Sequence, residues 1–136
     1  MTPPPPLPLD ASVLIARLRE MRDFPAAQLD ALPFGVIKVD KTGKILIYNA
    51  AEAELAGRQP ASVVGKNFFT DVAPCTNVEA FAAKFHKGIE AGGVNVVFPF
   101  VFTFPKGPMN VWVTLYYETG DNAAWIFVER KEGRKS

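Results

Sequence analysis

The sequence predicts an α+β fold: a five-stranded, mainly antiparallel sheet with helices gathered on one face and an N-terminal helical cap. Three observations point there. Two β segments, 34–39 and 44–48, flank the turn Asp40-Lys41-Thr42-Gly43, in which glycine can take positive φ. Three runs rich in aromatic and β-branched residues, 94–104, 110–118 and 123–130, follow one another near the C-terminus with short connections. Between the two groups, residues 49–92 read as several short helices and one longer one. Hairpin-linked strands on both sides of a helical block give antiparallel pairing with the helices segregated.

Residues 1–9 (MTPPPPLPL) form a Pro-rich tail that cannot join a helix or a sheet interior. Asp10 is a suitable N-cap for a helix over 11–23, with Leu14, Leu18 and Met21 as its apolar stripe and Arg17, Arg19 and Arg22 facing elsewhere. With a second turn over 25–32, this segment makes a helical cap spanning 10–32. The core domain runs from 33 to 130, and the polar tail 131–136 is expected to be disordered.

Within the core, Asn49 reads as the N-cap of a helix over 50–56 that Gly57 ends. Pro60 opens another short helical piece ending at Gly65, and residues 67–72 make one more turn before Ala73-Pro74-Cys75. Asn77 is the expected cap of the longest helix, along which Val78, Phe81, Phe85 and Ile89 recur at helical spacing until Gly92-Gly93. The final connections are Pro105-Lys106-Gly107-Pro108 and Thr119-Gly120-Asp121-Asn122.

Composition narrows the function. The chain has 136 residues, 49% hydrophobic and 21% charged, which suits one domain with a sizeable core. A net charge of +1, with the signs dispersed, offers no electrostatic case for nucleic acid or an anionic membrane. The single cysteine excludes an internal disulfide and a Cys-based metal site, and no metal-ligand spacing or phosphate loop occurs. No apolar run approaches the roughly 20 residues that span a bilayer, and no signal peptide is evident, so a soluble cytoplasmic protein is expected.

Four residues between 48 and 75 could carry chemistry. Glu52 falls at the third helical position after Asn49, where its carboxylate can return a bond to the cap's N–H in a capping box. Alternatively it points inward among Ala50, Ala51, Ala53 and Ala56, where burial would keep it protonated and able to donate. Tyr48 ends a strand and can pack its ring with the hydroxyl near water. Arg58 reads as a solvated group, and Cys75 as a buried thiol. A thiol enzyme pairing Cys75 with His86 finds no oxyanion loop or orienting group in its support. Singly, each residue has an ordinary structural explanation.

Together they do not. The run FGVIKVDKTGKILIYNAAEAELAGR resembles the opening of a PAS domain, and continued through VVGKNFFTDVAPCTN it closely resembles the photoactive yellow protein family of small blue-light receptors. The resemblance covers roughly 31–130. It implies a p-coumaric acid (4-hydroxycinnamic acid) chromophore held as a thioester on Cys75. Tyr48 and Glu52 would then bind its phenolate, Arg58 would gate the pocket, and Phe68, Phe102 and Ile37 would line it. Light would isomerise the chromophore, a proton would leave Glu52, and the cap over 10–32 would loosen, reversibly. The resemblance further implies no catalytic residue and an unidentified downstream signalling partner; a monomer or weak dimer is expected. Ala56 stands where the family commonly has threonine, which implies altered tuning without loss of binding. Lys106 stands where its best-known members have a methionine that speeds thermal recovery, which leaves the recovery rate open. A chromophore-free PAS ligand-binding or interaction module is the alternative.

Overall fold

In the computed structural model the described residues are 29–104 and 107–130. The expected tail over 1–9, most of the cap over 10–32, Lys106 and the tail over 131–136 lie outside them.

The first hairpin forms as its turn chemistry dictates. Strands β1 (Gly35–Asp40) and β2 (Ile45–Tyr48) pair antiparallel, with Ile37 opposite Tyr48. The Asp40 carboxylate accepts from the Thr42 amide at 2.9 Å, the Thr42 hydroxyl at 2.6 Å and the Lys44 amide at 2.9 Å. Gly43 supplies the positive φ of 98°. The later strands are β3 (Gly93–Phe104), β4 (Gly107–Glu118) and β5 (Ala123–Arg130). The sheet order is β2-β1-β5-β4-β3 with every pair antiparallel, so the first and last strands lie side by side at its middle.

One strand is longer than its sequence suggests. Gly107 and Pro108 belong to β4, paired opposite Phe104 and Thr103, and not to the connection. The β4–β5 ladder starts only at Val111, so the side of Pro108 away from β3 has no strand to donate to. Pro99 is tolerated inside β3 for the same reason, because β3 is an edge strand.

Alternation along the strands separates two cores. Ile37, Val39, Val113, Leu115 and Ile126 face the helices, together with Phe68, Phe69, Phe81 and Phe85. Val36, Tyr116, Trp125 and Phe127 face the other way and pack with Leu29 and Leu32, which lie at the end of the expected cap.

Helix α1 (Ala50–Ala56) is capped by Asn49 and ended by Gly57 at φ 69°, and α2 (Pro60–Val63) follows. Residues 67–72 do make a turn, but a π-helical one over Phe68–Val72, with Val72 and Ala73 bonding five residues back to Asn67 and Phe68. A 3₁₀ turn, Pro74–Thr76, then carries Cys75.

The long helix corrects the sequence reading. Helix α3 spans Ala82–Ala91 and is entered at Phe81, without a side-chain cap. Asn77 is not its cap. The Asn77 amide instead closes the 3₁₀ turn by bonding to the Pro74 carbonyl, and Val78 is exposed. The chain turns at 78–81 because Phe81 is drawn fully into the interior, where its ring meets Phe68, Phe69, Phe98, Phe100 and Phe102. Burial of one large ring outweighs the local capping preference, whose worth is only about 1 kcal/mol.

Candidate functional site

Asn49 organises the site. It is buried, and its Oδ1 accepts from the Val36 amide at 2.8 Å and the Glu52 amide at 3.0 Å. Its Nδ2 donates to the carbonyls of Leu29 and Phe34, at 2.8 and 3.0 Å. The Asn49 backbone N–H bonds to the Val36 carbonyl at 3.0 Å. The start of β1, the end of β2 and the first turn of α1 are thereby locked together.

Those bonds decide between the two readings of Glu52. Its carboxyl cannot complete a capping box, because the N–H it would bond is already taken by Val36. Glu52 is 1% exposed, and its Oε1 has no hydrogen-bond partner. Burial pushes its pKa up to about 8, so the carboxyl is neutral at pH 7. The reciprocal capping pattern occurs elsewhere. Asn67 Oδ1 accepts from the Phe69 and Thr70 amides at 2.9 and 3.1 Å, and Asp71 Oδ2 returns by accepting from the Asn67 amide at 3.0 Å. In that pair Asn67 is half-buried and Asp71 is exposed, so the carboxylate is not taken out of solvent as that of Glu52 is.

Glu52 forms part of the wall of a cavity of about 240 Å³, far larger than the roughly 30 Å³ of one water. The buried part of the wall is Tyr48, Glu52, Ala56, Phe68, Val72 and Phe102. Ala73, Cys75 and Phe104 are half-buried, whereas Arg58, Pro74 and Thr103 are exposed and mark the mouth. Burial first, and then the Glu52 carboxyl, raise the Tyr48 pKa, while Arg58 acts in the opposite direction. The Tyr48 hydroxyl therefore holds its proton and remains a donor. Cys75 is a free thiol.

Six of the seven residues singled out in the sequence meet at this one cavity: Tyr48, Glu52, Arg58, Phe68, Cys75 and Phe102. Ile37 is not on its wall; it lies opposite Tyr48 in the β1–β2 ladder, buried in the core behind. Val72, Ala73, Pro74, Thr103 and Phe104 are wall residues that sequence reading missed. Phe104 was within reach, since Phe98, Phe100, Phe102 and Phe104 share one face of β3 by alternation. Phe104 stacks on Phe102 at 5.0 Å with the rings nearly parallel. His86 lies elsewhere, exposed on α3 with its ring against Phe69 and Phe85, so no Cys75–His86 pair is assembled at the cavity. Among the described residues no cluster suits a metal ion, and no helix is long and apolar enough to cross a membrane.

The PAS fold model matches residues 23–130. The chain is 47% identical over 110 residues to photoactive yellow protein from Rhodothalassium salexigens, covering 81% of this chain and 88% of that protein. The chain belongs to the photoactive yellow protein family. A second photoactive yellow protein, from Halochromatium salexigens, is 45% identical over 102 residues, 75% of this chain and 82% of its own. The structure is similar to that of the photoactive yellow protein domain of the sensor histidine kinase Ppr from Rhodospirillum centenum, with a TM-score of 0.78 and 41% identity over 82% of this chain and 98% of that domain. Photoactive yellow proteins are photoreceptors and not enzymes, and the free cysteine and buried Glu52 found here fit that family.

Proposed function

We propose that this protein is a blue-light photoreceptor that carries p-coumaric acid as a thioester on Cys75. The observation that carries the proposal is Glu52: its carboxyl is neutral and fully buried, its Oε1 lies unpartnered against Gly35, and the residue shares one cavity wall with Tyr48 and the Cys75 thiol. A neutral carboxyl has one O–H to donate, and a ligand in the cavity that accepts it offsets part of the roughly 1–3 kcal/mol that a buried polar group without a partner costs.

The residue types suit a phenolic ligand. A buried phenolate is costly unless strong donors replace its water shell. A protonated carboxylic acid beside a tyrosine is such a pair, the solution also used by ketosteroid isomerase. Glu52 and Tyr48 would hold the phenolic end, Cys75 the acyl end, and Phe68 and Phe102 the ring between them, with Arg58 gating the mouth. When bound, the chromophore supplies the visible absorption and an isomerisable double bond. Glu52 then acts as the proton store. Loss of its proton leaves a carboxylate at a site with no hydrogen-bond donor to Oε1. An uncompensated buried charge of that kind costs about 3–5 kcal/mol, a large share of the roughly 5–15 kcal/mol that holds a domain together. The segment over 10–32 is the element proposed to loosen in response and signal to a partner.

Treating the purified protein with activated p-coumaric acid tests this directly. The expected result is one added acyl group on Cys75 and a coloured product, with no label on Cys75→Ala. A colourless product, or label on other residues with Cys75 free, overturns it and favours a chromophore-free PAS module.

A further inference from the structure

We infer that Gly35 is a positioning residue for the Glu52 carboxyl: its missing side chain is the space into which the carboxyl sits, and so sets where the cavity's buried acid lies. The inference rests on the photoreceptor reading for its consequence, but its geometry does not.

Glycine is unexpected at this place. Gly35 is the first residue of β1, paired with Val128 of β5, and it is not among the glycines at positive φ. Its backbone is open to any residue, and glycine weakens a strand relative to one with a side chain. What a side chain meets is the reason. A Cβ built on Gly35 overlaps Glu52 Oε1 and comes within 3.2 Å of both Glu52 Cβ and Cδ. Gly88 is also tight, but it faces the side chain of Val94, an apolar helix-to-strand contact. Gly35 alone of this pair abuts a titratable group.

The geometry also gives a direction. Glu52 is on the cavity wall and Gly35 is not, so the carboxyl lies between the β1 backbone and the cavity. Oε1 is the far end of a flexible side chain. A methyl group at 35 therefore swings the carboxyl off β1 into the cavity, nearer the mouth, and α1 must give by the few tenths of an ångström that the 3.2 Å approach to Glu52 Cβ requires. Tyr48, Arg58 and Cys75 are the other titratable groups on the same wall.

The test begins with chromophore-free protein. The Glu52 side-chain carbon is followed by ¹³C NMR against pH in the Cys75→Ala background, which leaves no thiol on the cavity wall. Gly35→Ala should lower the Glu52 midpoint by one pH unit or more, because the displaced carboxyl is better hydrated; an unchanged midpoint overturns the inference. In chromophore-loaded protein, Gly35→Ala should move the absorption band, and should not move it further once Glu52 is already alanine. Equal shifts in both backgrounds overturn the inference, because Gly35 would then act independently of Glu52. Should Gly35→Ala alone not fold, Glu52→Ala in the same chain should restore folding, and a double variant that stays unfolded also overturns it. If the protein takes up no chromophore at all, the photoreceptor reading falls, while the carboxyl titration still decides the role of Gly35.

Discussion

Asn49 and Glu52 meet through a single bond: the Asn49 Oδ1 accepts the Glu52 amide at 3.0 Å, and the Glu52 carboxyl returns nothing. A three-residue spacing that makes a capping box at a helix surface here separates two roles. Asn49 ties three elements together, and Glu52 is left as a buried acid facing a cavity.

The first prediction concerns pH. In chromophore-free protein the folded-state pKa of Glu52 is about 8, against 4.5 when the chain is unfolded. Between those values the folded state keeps a proton that the unfolded state has released. Stability therefore falls as pH rises from 4.5 to about 8 and then levels off, with a total change on the order of a few kcal/mol. Urea unfolding at a series of pH values should show that slope, and Glu52→Gln should flatten it. An equal slope in Glu52→Gln would place the titration elsewhere.

The second separates the two asparagine caps. Asn49→Ala removes four buried or half-buried hydrogen bonds and should cost about 3 kcal/mol or more, because it leaves backbone groups of Leu29, Phe34 and Val36 unpaired. Asn67→Ala removes three bonds, to the Phe69 and Thr70 amides and the Thr42 carbonyl, at a half-buried position nearer solvent, and should cost less, about 1 kcal/mol. Denaturant midpoints of the two variants check the ratio, and equal losses would contradict the organising role given to Asn49.

The third addresses the interior. Phe81 is fully buried and meets five phenylalanine rings at 5.2 to 6.2 Å. Phe81→Ala should cost about 3–5 kcal/mol, and Phe81→Leu clearly less. Phe68 and Phe102 are among those rings and also form cavity wall, so chromophore uptake by Phe81→Ala should fall too. A loss below 1 kcal/mol would show that Phe81 does not fix the start of α3.

The fourth follows from the proposed function. In chromophore-loaded protein, Glu52→Gln should fold and move the absorption band to longer wavelength, because an amide is a weaker donor than a carboxylic acid. An unmoved band would show that Glu52 does not touch the phenolic end.

The amino-acid sequence by itself determined the architecture and most of the inventory. The Asp40–Gly43 turn, the alternation in five strands, and the Asn49 and Gly57 ends of α1 are local features, each legible within a few residues. The family pattern then singled out Tyr48, Glu52, Arg58, Phe68, Cys75 and Phe102, all of which the fold brings to one cavity. What the sequence left open depended on contacts across long separations. Whether Glu52 capped a helix or faced a cavity was decided by the Val36 carbonyl, thirteen residues from Asn49 in the chain, taking the N–H that a capping box needs. Where α3 begins was decided by rings from β3 and the π-helical turn that hold Phe81. The place of Gly35 beside the Glu52 carboxyl follows from the packing of α1 on β1. Local preferences are worth about 1 kcal/mol each, and a buried ring or an occupied buried N–H outweighs them.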